Sequence, residues 1–450
     1  MSTAAEPRRS ALQQALRPQG KVFYGWWLVL ASAGVQGVIG VLFNQTQGAY
    51  MAVLREDFGW SRSALSGALA LSRIESGMLG PVEGWLLDRY GPRKVMIAGL
   101  LLMGGAMMLF SFTSSLGMFY VTYFLVALGA TLGGFLSITV ALVNWFSRHR
   151  AKAMAIAQIG FAASGFLVPI TIASMETFGW QVTAFASGIL IWVLGLPLAF
   201  MIRDRPEQHG ETPDGVPFGV NAAGGDTALG SRYAVAADGS EDFTARQAFR
   251  TTAFWYISLG HGAALLIVSA VMAHALIHLT ENLGYSLAAA GLVLPALTFW
   301  QIAGQISGGF LGDRFDKRII STVCMAMHCV AILILAYAQN VAMVMLFAAL
   351  HGWAWGARGP LMQAIRADYF GTASFGKIMG VSTMIVAIGS SAGPLIAGFL
   401  ADRTGNYQQG FTVLAVLAAL GSVFFIMAKK PPVPARVEAA PTADSIAAGD

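Results

Sequence analysis

This chain has little charge: 11% of its 450 residues are Asp, Glu, Lys or Arg, while 56% are hydrophobic. Soluble domains carry about 25% charged residues, so the shortage excludes an ordinary soluble protein. Cysteine is almost missing too. Cys324 and Cys329 lie in one apolar run, at a spacing that supports neither a disulfide framework nor a metal site. No nucleophile constellation, metal-ligand cluster or phosphate-binding loop stands out, so neither catalysis nor a cofactor is expected. A cleavable signal peptide is not expected either, because the first apolar run follows a polar arm and is longer than a signal h-region.

What the chain has instead is apolar length. Runs of about 20 residues, each enough to cross a hydrocarbon core of about 30 Å, recur along nearly all of it, and we count about twelve. An all-α, multi-pass membrane protein is expected. The net charge of +5 raises the question of nucleic acid, and its distribution answers it. Threading the loops alternately from an inside N-terminus puts 23 of the 28 Lys and Arg on the inner side. Three (Arg55, Arg62, Arg403) fall outside and two, Arg73 and Arg358, within helices. The excess is membrane topology; nucleic acid is not a partner. Both termini are expected in the cytoplasm, with the chain monomeric in the cell (inner) membrane and in contact with its lipid. The runs divide the chain into an arm at 1–20, a helical unit at 21–203, a polar linker at 204–248, a second helical unit at 249–430 and a tail at 431–450. Within the linker, 243–249 reads as a short amphipathic helix lying on the membrane.

One basic turn occurs twice. Gly84-Trp-Leu-Leu-Asp88-Arg89-Tyr-Gly91-Pro-Arg93-Lys94 follows the second apolar run, and Gly309-Phe-Leu-Gly-Asp313-Arg314-Phe-Asp316-Lys317-Arg318 follows the eighth. Glycine and aspartate repeat at one offset (309 − 84 = 313 − 88 = 225), half the chain. Such a repeat in a membrane chain points to two copies of one structural unit. Each Asp is placed to cap the exposed N–H groups of a neighbouring helix start. The pattern resembles the signature loop of the major facilitator superfamily. Tyr24-Gly25-Trp26-Trp27, with Phe58-Gly59-Trp60-Ser61-Arg62-Ser63, resembles its monocarboxylate-transporter and oxalate/formate-exchanger branch. The resemblance implies twelve transmembrane helices in two pseudo-symmetric six-helix bundles, with helices one, four, seven and ten around a central cavity and alternating access by rocking of the halves. It also makes Gly84, Asp88, Arg89, Arg93, Asp313 and Arg314 a conformational latch, each Asp capping a helix of the opposite half.

Polar residues inside apolar helices are the other candidates, since a charge at the bilayer midplane costs about 2.5–3.5 kcal/mol even on the lenient insertion scale. Arg73 and Glu75 sit near the middle of the second helix, on nearly opposite faces. Arg358 shares a face of the tenth with His351 and Trp355, and Gly359-Pro360 behind it marks a local kink. Aligning Asn144-Trp-Phe with Asp368-Tyr-Phe sets Gly134 opposite Arg358, so that charge is peculiar to the second half. A buried cation in each half points to an anionic substrate. We expect a small mono- or dicarboxylate held by Arg358, Arg73, His351, Trp355, Asn44 and Gln301, coupled to protons through Glu75 or His261, or exchanged for another anion. In the branch it resembles, a basic residue on the eighth helix commonly serves the carboxylate; this chain has Gln301 and Gln305 there. The plainer readings stay open: each arginine as half of a structural ion pair, each histidine as a satisfied hydrogen-bonding group. So do two other functions, a proton-driven exporter of amphipathic compounds and, more remotely, a membrane sensor.

Overall fold

The computed structural model describes residues 22–215 and 242–432. The arm at 1–20, the middle of the linker and nearly all of the tail lie outside the described residues. Where no water reaches the backbone, its N–H and C=O groups must bond within the segment, so long apolar runs become helices. Twelve spans follow one another: α1 (Tyr24–Phe58), α2 (Arg62–Tyr90), α3 (Pro92–Phe110), α4 (Leu116–Trp145), α5 (Arg150–Phe178), α6 (Trp180–Met201), α7 (Thr252–Asn282), α8 (Ala289–Arg314), α9 (Lys317–Ala336), α10 (Val341–Phe370), α11 (Phe375–Thr404) and α12 (Gln408–Met427). Among the described residues, ten are long and apolar enough to cross a membrane. The other two, α2 and α10, are 29 and 30 residues long but carry buried charges: Glu75 and Glu83 on α2, Arg358 and Arg366 on α10.

Side chains set where several spans begin. Ser61, Ser115 and Asn340 each accept the N–H of the residue three positions on, at the starts of α2, α4 and α10, using donors that the helix cannot pair itself. Several spans are interrupted, α6 and α7 by π turns at Ile191–Gly195 and His278–Asn282. α1 widens into a π turn at Gly40–Asn44, and α5 tightens into a 3-10 turn at Gly165–Leu167, just ahead of Pro169. α4 breaks at Gly134, where the backbone leaves the helix (φ −106°, ψ −127°). That break falls at the position aligned with Arg358 of α10.

Two apolar cores result. One is built from α1 to α6 around Leu100, Phe119 and Trp145, the other from α7 to α12 around Ile332, Phe347 and Phe411. The halves meet on small residues. Gly80 and Gly84 of α2 lie against the backbone of Gly380 and Gly376 of α11, so close that no Cβ fits at Gly84 or Gly380. Gly309 and Gly312 of α8 sit likewise against Ala155 and Ala151 of α5. Both junctions lie at one end of the bundle, the basic end, where the duplicated turns are.

The described parts of the linker are docked rather than loose. Asp204 accepts the Arg93 N–H (2.9 Å), Asp214 those of Ser147, Arg148 and His149 (3.0, 2.6 and 3.3 Å), and Asp242 that of Thr372 (2.8 Å). The helix expected near 243–249 forms as Ala245–Phe249, with a Thr244–Gln247 capping box. Its apolar residues pack on the protein: Phe243 and Ala248 are buried among Phe254, Phe370 and Ile378.

Candidate functional site

α10 carries the stripe His351, Trp355, Arg358, and packs on α8 through glycines. Gly356 rests on the backbone carbonyl of Gln301, and Gly304 on that of Trp353. His351 and Arg358 are wholly buried, whereas Trp355 and the Gln301 side chain are partly exposed. The titratable groups that interact with Arg358 come from its own half: Cys324 and His328 of α9, His261 of α7, His351 and Arg366 of α10. Its Nε and Nη1 have no hydrogen-bond partner, and among the described residues it enters no ion pair. A guanidinium in that setting is an uncompensated charge, which an anion would neutralise.

Two members of this cluster escaped the sequence reading. Arg366 was counted with the basic loops, yet it is wholly buried, because α10 runs on to Phe370. Its Nη1 donates to Met362 O (2.5 Å) and its Nη2 to Ser382 Oγ (2.6 Å) and His261 Nδ1 (3.3 Å), while Ser382 meets Ser258 of α7 at 2.9 Å. The signal was present: 351, 355, 358, 362 and 366 form an unbroken i+3, i+4 stripe. His261, expected as a proton carrier, accepts at Nδ1, so a proton on that nitrogen would break its bond to Arg366. The other omission is His328, whose Nδ1 stands 3.0 Å from that of His351. Nothing in the spacing of α9 alone singles it out.

In the first half, Glu75 is buried, with Ser76 Oγ at 3.4 Å from its Oε2 and Ser76 bonded to Thr131 of α4 at 3.0 Å. Glu83, two turns along, is buried too and close enough for the two charges to interact. Each has an unpartnered Oε1, and among the described residues neither enters an ion pair. Among the described residues, then, neither Arg358 nor Glu75 is half of a structural ion pair. The side chain of Arg73 lies outside the described residues. Asn44 is exposed at the end of the π turn of α1.

At the basic end, Asp88 accepts the N–H groups of Gly376 (2.9 Å) and Lys377 (3.1 Å) at the start of α11. Asp313 accepts that of Ala151 (3.0 Å) at the start of α5, with Lys152 Nζ at 3.6 Å and His149 Nδ1 at 3.7 Å. Each carboxylate thus meets a helix of the opposite half where unpaired N–H groups and the helix dipole favour negative charge. The basic members of the duplicated turns do not cross. Arg89 lies over Trp85 and Tyr90, Arg93 over Phe200, all in their own half. Arg314 is exposed and, among the described residues, in no ion pair. The crossing cations come from α5: besides Lys152 on Asp313, Arg150 pairs with Asp368 of α10 at 2.9 Å, and Lys317 holds the other oxygen at 2.7 Å.

Comparison with known proteins agrees with this architecture. The family model of the Major Facilitator Superfamily matches residues 34–278 and 257–448. Monocarboxylate transporter 13 of Rattus norvegicus is 24% identical over 409 residues, covering 88% of each chain. The oxalate:formate antiporter of Oxalobacter formigenes is 24% identical over 418 residues, covering 87% of this chain and 88% of that protein. Among solved structures, the proton:xylose symporter XylE superposes with a TM-score of 0.70 at 15% identity, over 90% of this chain and 95% of that one.

Proposed function

The chain belongs to the Major Facilitator Superfamily, and on that premise we propose that it carries a small organic anion, a mono- or dicarboxylate, across the cell (inner) membrane by alternating access. It is a multi-pass membrane transporter and not an enzyme. The anion moves together with a proton or in exchange for a second anion, and the protein works as a monomer. One observation carries the reading: Arg358 is wholly buried, with two nitrogens free of partners. A cation kept so deep without an acid beside it is explained by a ligand that brings the missing charge. Relatives named for monocarboxylates and for oxalate and formate support the same class. His351 and Trp355 belong to the wall around Arg358.

The basic end, and with it both termini, lies on the cytoplasmic side, a reading that the excess of Lys and Arg supports. Asp88 and Asp313 then act as latches on that side. With their caps made, the cytoplasmic end is closed and the site communicates with the outside.

The test is a panel of oxalate, lactate, malonate and succinate added to purified protein, scored by the shift in melting midpoint and confirmed by uptake into proteoliposomes. At least one of them stabilises and is transported, and Arg358→Gln loses both effects while remaining folded. Silence across the whole panel, or full affinity in a folded Arg358→Gln protein, rejects an anionic substrate at this site.

A further inference from the structure

His328 and His351 are wholly buried, and their Nδ1 atoms stand 3.0 Å apart across the α9–α10 junction. One Nδ1 must donate and the other accept, so the two rings hold opposite tautomers. The donor ring then has a bare Nε2 lone pair, the other an Nε2–H, and neither Nε2 has a partner. The pair can therefore take up one proton, at the bare Nε2, without losing the bond between the rings, which becomes charge-assisted.

The groups facing the pair decide when that proton is accepted. Arg358 of α10 acts on both rings, and around Arg358 in turn stand Cys324 of α9, Arg366 of α10 and His261 of α7; the polar residues in the middle of α8 are Gln301 and Gln305, and α12 has no ionisable residue. No carboxylate is among them. Seven residues bring His351 to within about 20° of the Arg358 face, so an extra positive charge on the pair is opposed by the guanidinium. An anion on Arg358 removes that opposition.

We propose that the His328–His351 pair is the proton site of this carrier. A proton from solvent joins the pair when an anion seats on Arg358, and both leave together on the other side. The inference rests on the reading of Arg358 as the anion contact, and it selects symport over exchange.

The experiment measures protons taken up per anion bound, using the tightest binder of the four-acid panel and calorimetry in buffers of differing ionisation enthalpy between about pH 6 and 8. Wild type takes up about one proton, so affinity rises about tenfold for each unit fall in pH. His328→Asn, which keeps a polar group near the Nδ1 position and leaves the wall around Arg358 intact, binds the anion with the uptake lost and the pH slope flat. Binding without uptake in wild type, or undiminished uptake in His328→Asn, overturns the proposal while leaving the anion site standing. Binding of none of the four acids fails the anion site itself. Should the variant not fold, 15N-histidine spectra of wild type decide: adding the anion turns one imidazole into imidazolium, and an unchanged histidine spectrum overturns the proposal.

Discussion

Arg358 and Arg366 are two guanidiniums on one helix, held in different ways. Arg366 donates through Nη1 and Nη2 to Met362, Ser382 and His261 and so ties α10 to α7 and α11, leaving only Nε unpartnered, whereas Arg358 leaves both Nε and Nη1 unpartnered. The contrast separates a structural cation from one kept for a ligand. Removing an unpaired buried charge relieves a desolvation penalty. Arg358→Met should therefore raise the stability of the ligand-free protein, by about 1–3 kcal/mol, while abolishing anion binding. Melting curves with and without the anion check both halves of this expectation; a large loss of stability would make Arg358 structural. Arg358→Lys keeps the charge and loses the planar fork, so affinity falls about tenfold or more.

Elements meet across the molecule through glycine and aspartate at the basic end. Gly380 has no room for a Cβ against Gly80 and Pro81, and that contact exists only when α2 and α11 are closed on each other. Gly380→Ala should thus shift the carrier toward opening at this end without disturbing either half. Spin labels at Tyr90 and Phe315, both exposed, would report a longer mean distance in a background lacking Cys329; an unchanged distance would mean that the glycine seam does not set the conformation. Asp88→Asn weakens the cap on α11 by removing its charge, far from Arg358. Transport rate should drop several-fold with anion affinity nearly intact, and an equal loss of both would contradict a latch.

For the whole molecule, the linker is part of the closed end. Asp214 binds three successive N–H groups ahead of α5, where Asp313 of the other half also attaches. It does so from a left-handed backbone (φ 59°) that costs most residues but not glycine. Asp214→Gly therefore removes the cap without adding strain. It should lower stability by about 1–2 kcal/mol and raise the mobility of the α4–α5 turn, read as faster amide exchange at Ser147 to His149. Protection equal to wild type would show that the turn holds without the linker.

The sequence alone determined the all-α multi-pass architecture, because apolar length, the duplicated turn and the one-sided distribution of Lys and Arg are properties of order along the chain. It also picked out Arg358 and His351, since one helical face can be read from spacing. What it could not supply was which helix stands beside which. Arg366 looked like a loop cation until the end of α10 was located, and His328 gained its meaning only when α9 brought it to His351. Arg150 emerged as a crossing cation for the same reason, with Asp368 218 positions away in the chain. The tertiary structure decided these pairings because burial and hydrogen bonding depend on packing between helices, and a periodic pattern records a face but not the partner that covers it.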